Sequence, residues 1–164
     1  MVSSGMRDGG YIYKIVLDPI LQDAATPQLA QDRDIAIYDL ITVNHFQPAK
    51  LAPAPYELVL TYQNGRLTFE LSDGSGGACV IALSLTPFRR LFRDYFDMYD
   101  AYQAAIFKGG AAQVEAIDMA RRGIHNQLAD TLLVRLEGKA SLDHDTARRL
   151  VSLIAAMFYK KGLI

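Results

Sequence analysis

Hydrophobic positions along the chain change period near its middle. Before residue 86 they alternate with polar ones, as in strands that bury one face. After it they recur every three or four residues, as in amphipathic helices. The alternation is clearest in YELVLTYQNGRLTFELSDGSGG, residues 56–77. Asn64-Gly65 is a favoured pair for a two-residue type I′ hairpin turn, whose central positions both need positive φ. With that turn, Tyr62 opposes Leu67, Leu60 opposes Phe69 and Leu58 opposes Leu71 on one face, while Thr61 meets Thr68 on the other. Turn chemistry and binary pattern therefore select one register. The glycine-rich loop at 73–77 returns the chain into a third strand at 78–85 and completes a β-meander.

YIYKIVLD, at 11–18, is β-branched and aromatic and closes on Asp18-Pro19, which predicts one more strand. An antiparallel sheet of about four strands follows. Thr26-Pro27 is a helix-start signal, an N-cap and then proline in the first turn. Ile37, Leu40, Ile41 and Asn44 recur at helical spacing behind it, predicting a helix over 27–44 and then a proline-punctuated loop at 47–55. Thr86-Pro87 repeats the start signal. Phe88, Leu91, Phe92, Tyr95, Tyr99, Tyr102 and Ile106 then mark one face of a helix ending at Gly109-Gly110, a stripe whose spacing predicts buried core or a dimer face. A second helix spans 111–137. A third begins after Asp143, with Ala147, Leu150, Val151, Ile154 and Phe158 inward. Strands first and helices afterwards define an α+β fold whose mainly helical C-terminal half packs on one sheet face. Residues 1–10 read as a flexible tail and 11–164 as a single domain.

Composition narrows the function classes. The chain has 164 residues, 51% hydrophobic and 21% charged, enough for a core of its own. Its 17 Lys and Arg against 18 Asp and Glu leave a formal net charge of -1, so no global field draws nucleic acid or a membrane surface. No apolar run nears the roughly 20 residues of a membrane helix, and residues 1–10 lack the apolar core of a secretory signal. The single cysteine, Cys79, lies in the apolar run ACVIALSL and reads as a buried structural thiol, which suits a reducing compartment. A soluble, cytoplasmic protein is expected.

Anion recognition, then, must be local, and six arginines stand in three adjacent pairs. Arg89, Arg90 and Arg93 lie opposite the aromatic stripe, with Asp94 and Asp97 placed to pair with them, so that face reads as solvated and ion-paired. Arg148 and Arg149 point away from the Ala147, Leu150, Ile154 face, with Asp145 in the first turn where a carboxylate complements the helix dipole. They too read as solvated surface. The middle pair differs: Asp118, Arg121, Arg122 and His125 share one helix face within two turns, a compact constellation able to hold a phosphate or carboxylate. Gly123, beside them in mid-helix, predicts the close approach of a backbone or ligand. An ordinary ion-paired face, with Asp118 and Arg122 at i,i+4, accounts for the same residues. The pattern Asp-x-Ala-Arg-Arg occurs twice, at 118–122 and at 145–149.

Other chemistries find no residues. His45, His125 and His144 have no metal-ligand spacing, so no metal or cofactor is expected. DGSGGAC sits between strands and reads as a hairpin loop, not a phosphate loop.

Four segments carry a resemblance. AIYDL (36–40), LSLTPFRRLFRDYF (83–96), EAIDMARRGIHN (115–126) and DHDTARRLVSLI (143–154) resemble the bacterial uncharacterised protein family 0262 over most of 35–154. The resemblance implies a bacterial protein and brings no activity, cofactor or site residues with it. Two functions therefore stand side by side. One is a non-enzymatic interaction or regulatory protein, joining a protein partner or its own copies through arginine- and tyrosine-bearing helices. The other is a binder of a small anionic metabolite, or an enzyme acting on one, through Asp118, Arg121, Arg122 and His125. A concave pocket over the 111–137 helix favours the second, and a flat or fully ion-paired face the first.

Overall fold

The hairpin forms on the turn that its sequence dictates. A computed structural model describes residues 9–159 and 161. In it Asn64 has a φ of 55° and Gly65 a φ of 74°, both left-handed as a type I′ turn requires. Strands β3 (Pro55–Gln63) and β4 (Arg66–Ser72) pair in the register set by that turn, Leu60 against Phe69 and Thr61 against Thr68. Strand β5 (Ala78–Ser84) completes the meander, with Ile81 against Phe69 and Leu83 against Leu67. Leu58, Leu60, Leu67, Phe69, Leu71, Ile81 and Leu83 are buried under the helices, whereas Glu70, Val80 and Ala82 on the other face are exposed. Cys79 is half-buried, not buried, and loss of water around it pushes its thiol pKa up. The thiol form is thereby favoured.

The fourth strand, β1 (Tyr11–Leu17), is the exception to the antiparallel pattern. It lies beside β3 in parallel, giving the order β1-β3-β4-β5. Connectivity explains this: between the two strands run a short helix α1 (Pro19–Gln22) and a long helix α2 (Pro27–Thr42), a crossover that brings the chain back to start a parallel neighbour. Thr26 caps α2 as expected, accepting the Leu29 amide at 3.1 Å. Asn44 lies beyond the helix end and is only 1% exposed. Its side chain accepts the Ile12 amide and donates to the carbonyls of Ile12 and Leu40, each at 2.8 Å. One amide group thus stands in for the strand that β1 lacks on its outer edge.

Of the tail expected at 1–10, residues 1–8 lie outside the described residues. Gly10 is anchored, donating to Gln47 Oε1 at 2.9 Å and accepting the Phe46 amide at 3.0 Å. Strand β2 (Phe46–Pro48), which runs into the stretch that reads as loop at 47–55, pairs with β6 (Ala140–Leu142) in a small second sheet. Three-residue strands, one ending in proline, are too short to show a period.

Thr86-Pro87 opens a 3₁₀ turn (Thr86–Phe88) without side-chain capping, so the expected N-cap does not form there. Helix α3 (Arg89–Lys108) follows, then α4 (Ala111–Leu136) and α5 (His144–Phe158), the last capped by Asp143 accepting the Thr146 amide at 3.2 Å. Leu128, Leu132 and Leu136 of α4 and Leu150, Ile154 and Phe158 of α5 join the inner sheet face in one core. The α3 stripe is core only at its start. Phe88, Phe92 and Tyr95 are buried, Tyr99 and Tyr102 half-buried, and Ile106 and Phe107 exposed.

Candidate functional site

The two Asp-x-Ala-Arg-Arg repeats meet across the α4–α5 interface. Arg121, Arg122 and His125 of α4 face Asp145, Arg148, Arg149 and Ser152 of α5 across a cleft of about 420 Å³, with Tyr95 of α3 in its wall. Arg148 and Arg149 are half-buried, which corrects their reading as solvated surface. The reason is geometric. On α5 the residues at 145, 148, 149 and 152 form one stripe beside the core face, and α4 covers that flank. Beyond the five-residue repeat, His125 and Ser152 stand at the same offset, seven residues after Asp118 and Asp145. These two seventh positions touch, His125 Nε2 lying 2.9 Å from Ser152 Oγ.

Of the four residues singled out from the sequence, three line the cleft. Asp118 stands beside it and holds both neighbours, 2.5 Å from Arg121 Nη2 and 2.9 Å from Arg122 Nη2. The hydrogen bond from Arg121, opposed by partial burial and reinforced by both arginine charges, holds its carboxyl below the usual carboxylate range. Arg121 also donates to the Tyr95 hydroxyl at 3.3 Å, and its guanidinium lies 5.4 Å from the Tyr102 ring centre. Arg148 and Arg149 have no such neutralisation. Among the described residues no carboxylate is within ion-pair distance of either. The same holds for Arg89, Arg90 and Arg93, which are exposed, so the ion pairs expected on α3 do not form.

Four arginines against the carboxylates of Asp118 and Asp145 leave the site with two unbalanced positive charges. Three nitrogens in it, Arg121 Nε, Arg148 Nε and His125 Nδ1, are buried without a hydrogen-bond partner. Buried polar atoms are rarely left so, because each costs about 1–3 kcal/mol. His125 is only 7% exposed and packs 5.8 Å from the Tyr95 ring. Burial, then the charges of Arg148, Arg121 and His144, push its pKa down to about 4, so it is neutral at pH 7. Gly123 differs from expectation. A side chain there would meet nothing within 4 Å, so no protein atom accounts for the missing methyl.

Asp145, Arg148, Arg149, Ser152 and Tyr95 are the residues that sequence reasoning left out of the site. The signal for the first three was the repeat itself. Among the described residues no group of three or more His, Cys, Asp or Glu is placed to hold a metal ion. No helix among them is long and apolar enough to cross a membrane.

By fold and site this is a small α+β protein with a basic cleft between its last two long helices. The chain belongs to the Uncharacterised protein family (UPF0262), which it matches over residues 10–160. It is 43% identical over 147 residues to the UPF0262 protein of Rhizobium meliloti (strain 1021), an alignment covering 89% of this chain and 92% of that one. To the UPF0262 protein of Caulobacter vibrioides (strain NA1000 / CB15N) it is 40% identical over 159 residues, 97% of this chain and 99% of the relative. No solved structure matches the chain significantly.

Proposed function

We propose that the protein binds a small anionic metabolite, by a phosphate or carboxylate group, in the cleft between α4 and α5. The observation that carries this reading is the uncompensated charge of the cleft, which Arg148 and Arg149 line without a carboxylate in ion-pair distance. A guanidinium fork matches the oxygens of either group. Binding fits better than turnover. His125 and Ser152 are spaced like a base and its nucleophile, but no third group orients His125 Nδ1, and an imidazole with a pKa near 4 is a weak base at neutral pH.

Calorimetry with inorganic phosphate and pyrophosphate tests the reading. Arg148→Ala and Arg122→Ala should each weaken binding by roughly 1.5–3 kcal/mol, the scale of a hydrogen bond to a charged group. Arg90→Ala, on the exposed face of α3, should leave it unchanged. Arg148→Lys should rescue only part, because the planar fork is lost. Equal effects at Arg148 and Arg90, or no heat at roughly 10 mM ligand, would remove the reading.

A second reading, contact with a protein partner or another copy, is favoured by the corner between α3 and α4, where Phe107 is 89% exposed beside the exposed Ile106. Light scattering across a concentration series reports self-association there, and a monomer at every concentration leaves only a foreign partner.

A further inference from the structure

The cleft has a neighbour. Tyr95, Arg121 and Ser152 also line a second cavity, of about 280 Å³, enclosed by α2, α3 and α5. The cleft by itself already exceeds the roughly 300 Å³ at which ordinary ligand pockets begin, and the cavity beside it adds room for the body of a ligand. On one side it is walled by the rings of Tyr99, Tyr102 and Phe96. From α5 and its end come Ser152, Ala155, Ala156 and Tyr159, and the two alanine methyl groups leave space between the larger side chains. Tyr159, which also lines the cavity, packs edge-on against Phe96 and Tyr99 at 5.2 and 5.3 Å and holds the aromatic wall in place. The cavity is also polarised. Arg121 supplies donors on the α4 side, while on the α2 side Asp32 is the one carboxylate among the described lining residues. Asp32 accepts from Gln28 Nε2 at 3.0 Å and from the Tyr99 hydroxyl at 3.4 Å, and a carboxylate with about four lone-pair sites can accept more.

We infer that the ligand is a phosphate- or carboxylate-bearing molecule with a planar ring that carries N–H donors. Its anion rests on the arginines of the cleft, and its ring lies against the tyrosines with the donors toward Asp32. The inference rests on the anion-binding reading above and adds the body of the ligand to its head. An aliphatic tail fits less well, because tyrosine hydroxyls and a carboxylate line the space, whereas a flat ring stacks on tyrosine faces and tolerates polar edges.

The test uses four probes on the full chain: inorganic phosphate, ribose 5-phosphate, adenosine and adenosine 5′-monophosphate. The monophosphate, with phosphate, ring and exocyclic amine, should bind at least about tenfold tighter than ribose 5-phosphate, and adenosine should bind weakly or not at all. Ala156→Leu, which fills the cavity, and Asp32→Asn, which removes the acceptor charge, should each abolish that preference. Unchanged ribose 5-phosphate binding in both variants verifies that the fold and the arginine cleft are intact. Equal affinity for the monophosphate and ribose 5-phosphate in the unsubstituted protein overturns the inference and leaves the anion cleft standing. So does a preference that survives both substitutions. Failure of every phosphate-bearing probe at roughly 10 mM overturns the anion cleft and the inference together.

Discussion

Acidification should weaken this protein through one imidazole. His125 is pushed from the usual 6.5 down to about 4, by burial first and then by the charges of Arg148, Arg121 and His144. Tyr95 and Ser152, which also face it, offer a ring and a hydroxyl but no counter-charge. In the unfolded chain the same ring takes its proton near 6.5. As pH falls below that value the unfolded state gains a proton that the folded state refuses. Stability is therefore full above about pH 6.5, drains away between 6.5 and 4, and stops changing on this account once the folded ring is protonated as well. At about 1.4 kcal/mol per pH unit the loss comes to about 3 kcal/mol, a large part of the ordinary stability of a domain. Asp118, held below the usual carboxylate range, adds its own loss only at more acid pH. Urea unfolding followed by circular dichroism from pH 7.5 to 4 measures the slope, since the chain has no tryptophan to report it. His125→Gln should flatten the curve by that amount, and added phosphate should shrink the loss in the parent protein by favouring the imidazolium. A His125 ring proton that titrates near 6.5 by NMR, or a Gln variant with the parent slope, would refute the reasoning.

Two further substitutions probe the frame around the site. Gly123→Ala, in an exposed and open helical position, should stabilise the protein by up to about 1 kcal/mol and leave phosphate affinity alone; weaker binding by the alanine variant would show that the ligand needs the space. Asn44→Ala strands the amide and carbonyl of Ile12, two buried groups at about 1–3 kcal/mol each, so a loss of roughly 3 kcal/mol is expected in urea unfolding. A loss below about 1 kcal/mol would mean that the edge of β1 finds other partners.

What could be read from the sequence was whatever a local rule determines. Asn64-Gly65 fixes a turn, the turn fixes a register, and the register puts Leu58, Leu60, Leu67 and Phe69 on one side, with no help from the rest of the chain. Helix starts were legible where a side chain does the capping, as at Thr26 and Asp143, and misleading at Thr86, where the same dipeptide opens a 3₁₀ turn. Strand order was not local. Nothing in YIYKIVLD says whether it joins β3 in parallel, because that depends on where α2 delivers the chain. Asn44 was assigned to the helix by its spacing, although its role is to complete a strand edge 32 residues away. The site was half legible for the same reason. Asp118, Arg121, Arg122 and His125 share a helix face and could be grouped by arithmetic, whereas Arg148 and Arg149 enter only when α5 packs on α4.

Identical motifs in the two helices nevertheless end in different electrostatic states, and the difference suggests how the labour is divided. Asp118 binds both of its arginines, and Arg121 is further tied to Tyr95 and Tyr102. That half is preorganised: its donors are fixed before any ligand arrives, so little side-chain entropy remains to be lost on binding. Asp145 lines the cleft but pairs with neither Arg148 nor Arg149. Each half carries one unbalanced positive charge, but the guanidiniums of the α5 half are not tied to a carboxylate, so an incoming anion need not displace one to reach them. At the same net charge, a cleft built from two copies of the α4 half would be rigid but have its guanidiniums engaged by carboxylates, and one built from two copies of the α5 half would have free guanidiniums but no ion pair to fix them. Joining one of each, with His125 and Ser152 hydrogen-bonded at the seam, combines fixed geometry with unspent charge, which is the requirement for holding a small anion in water.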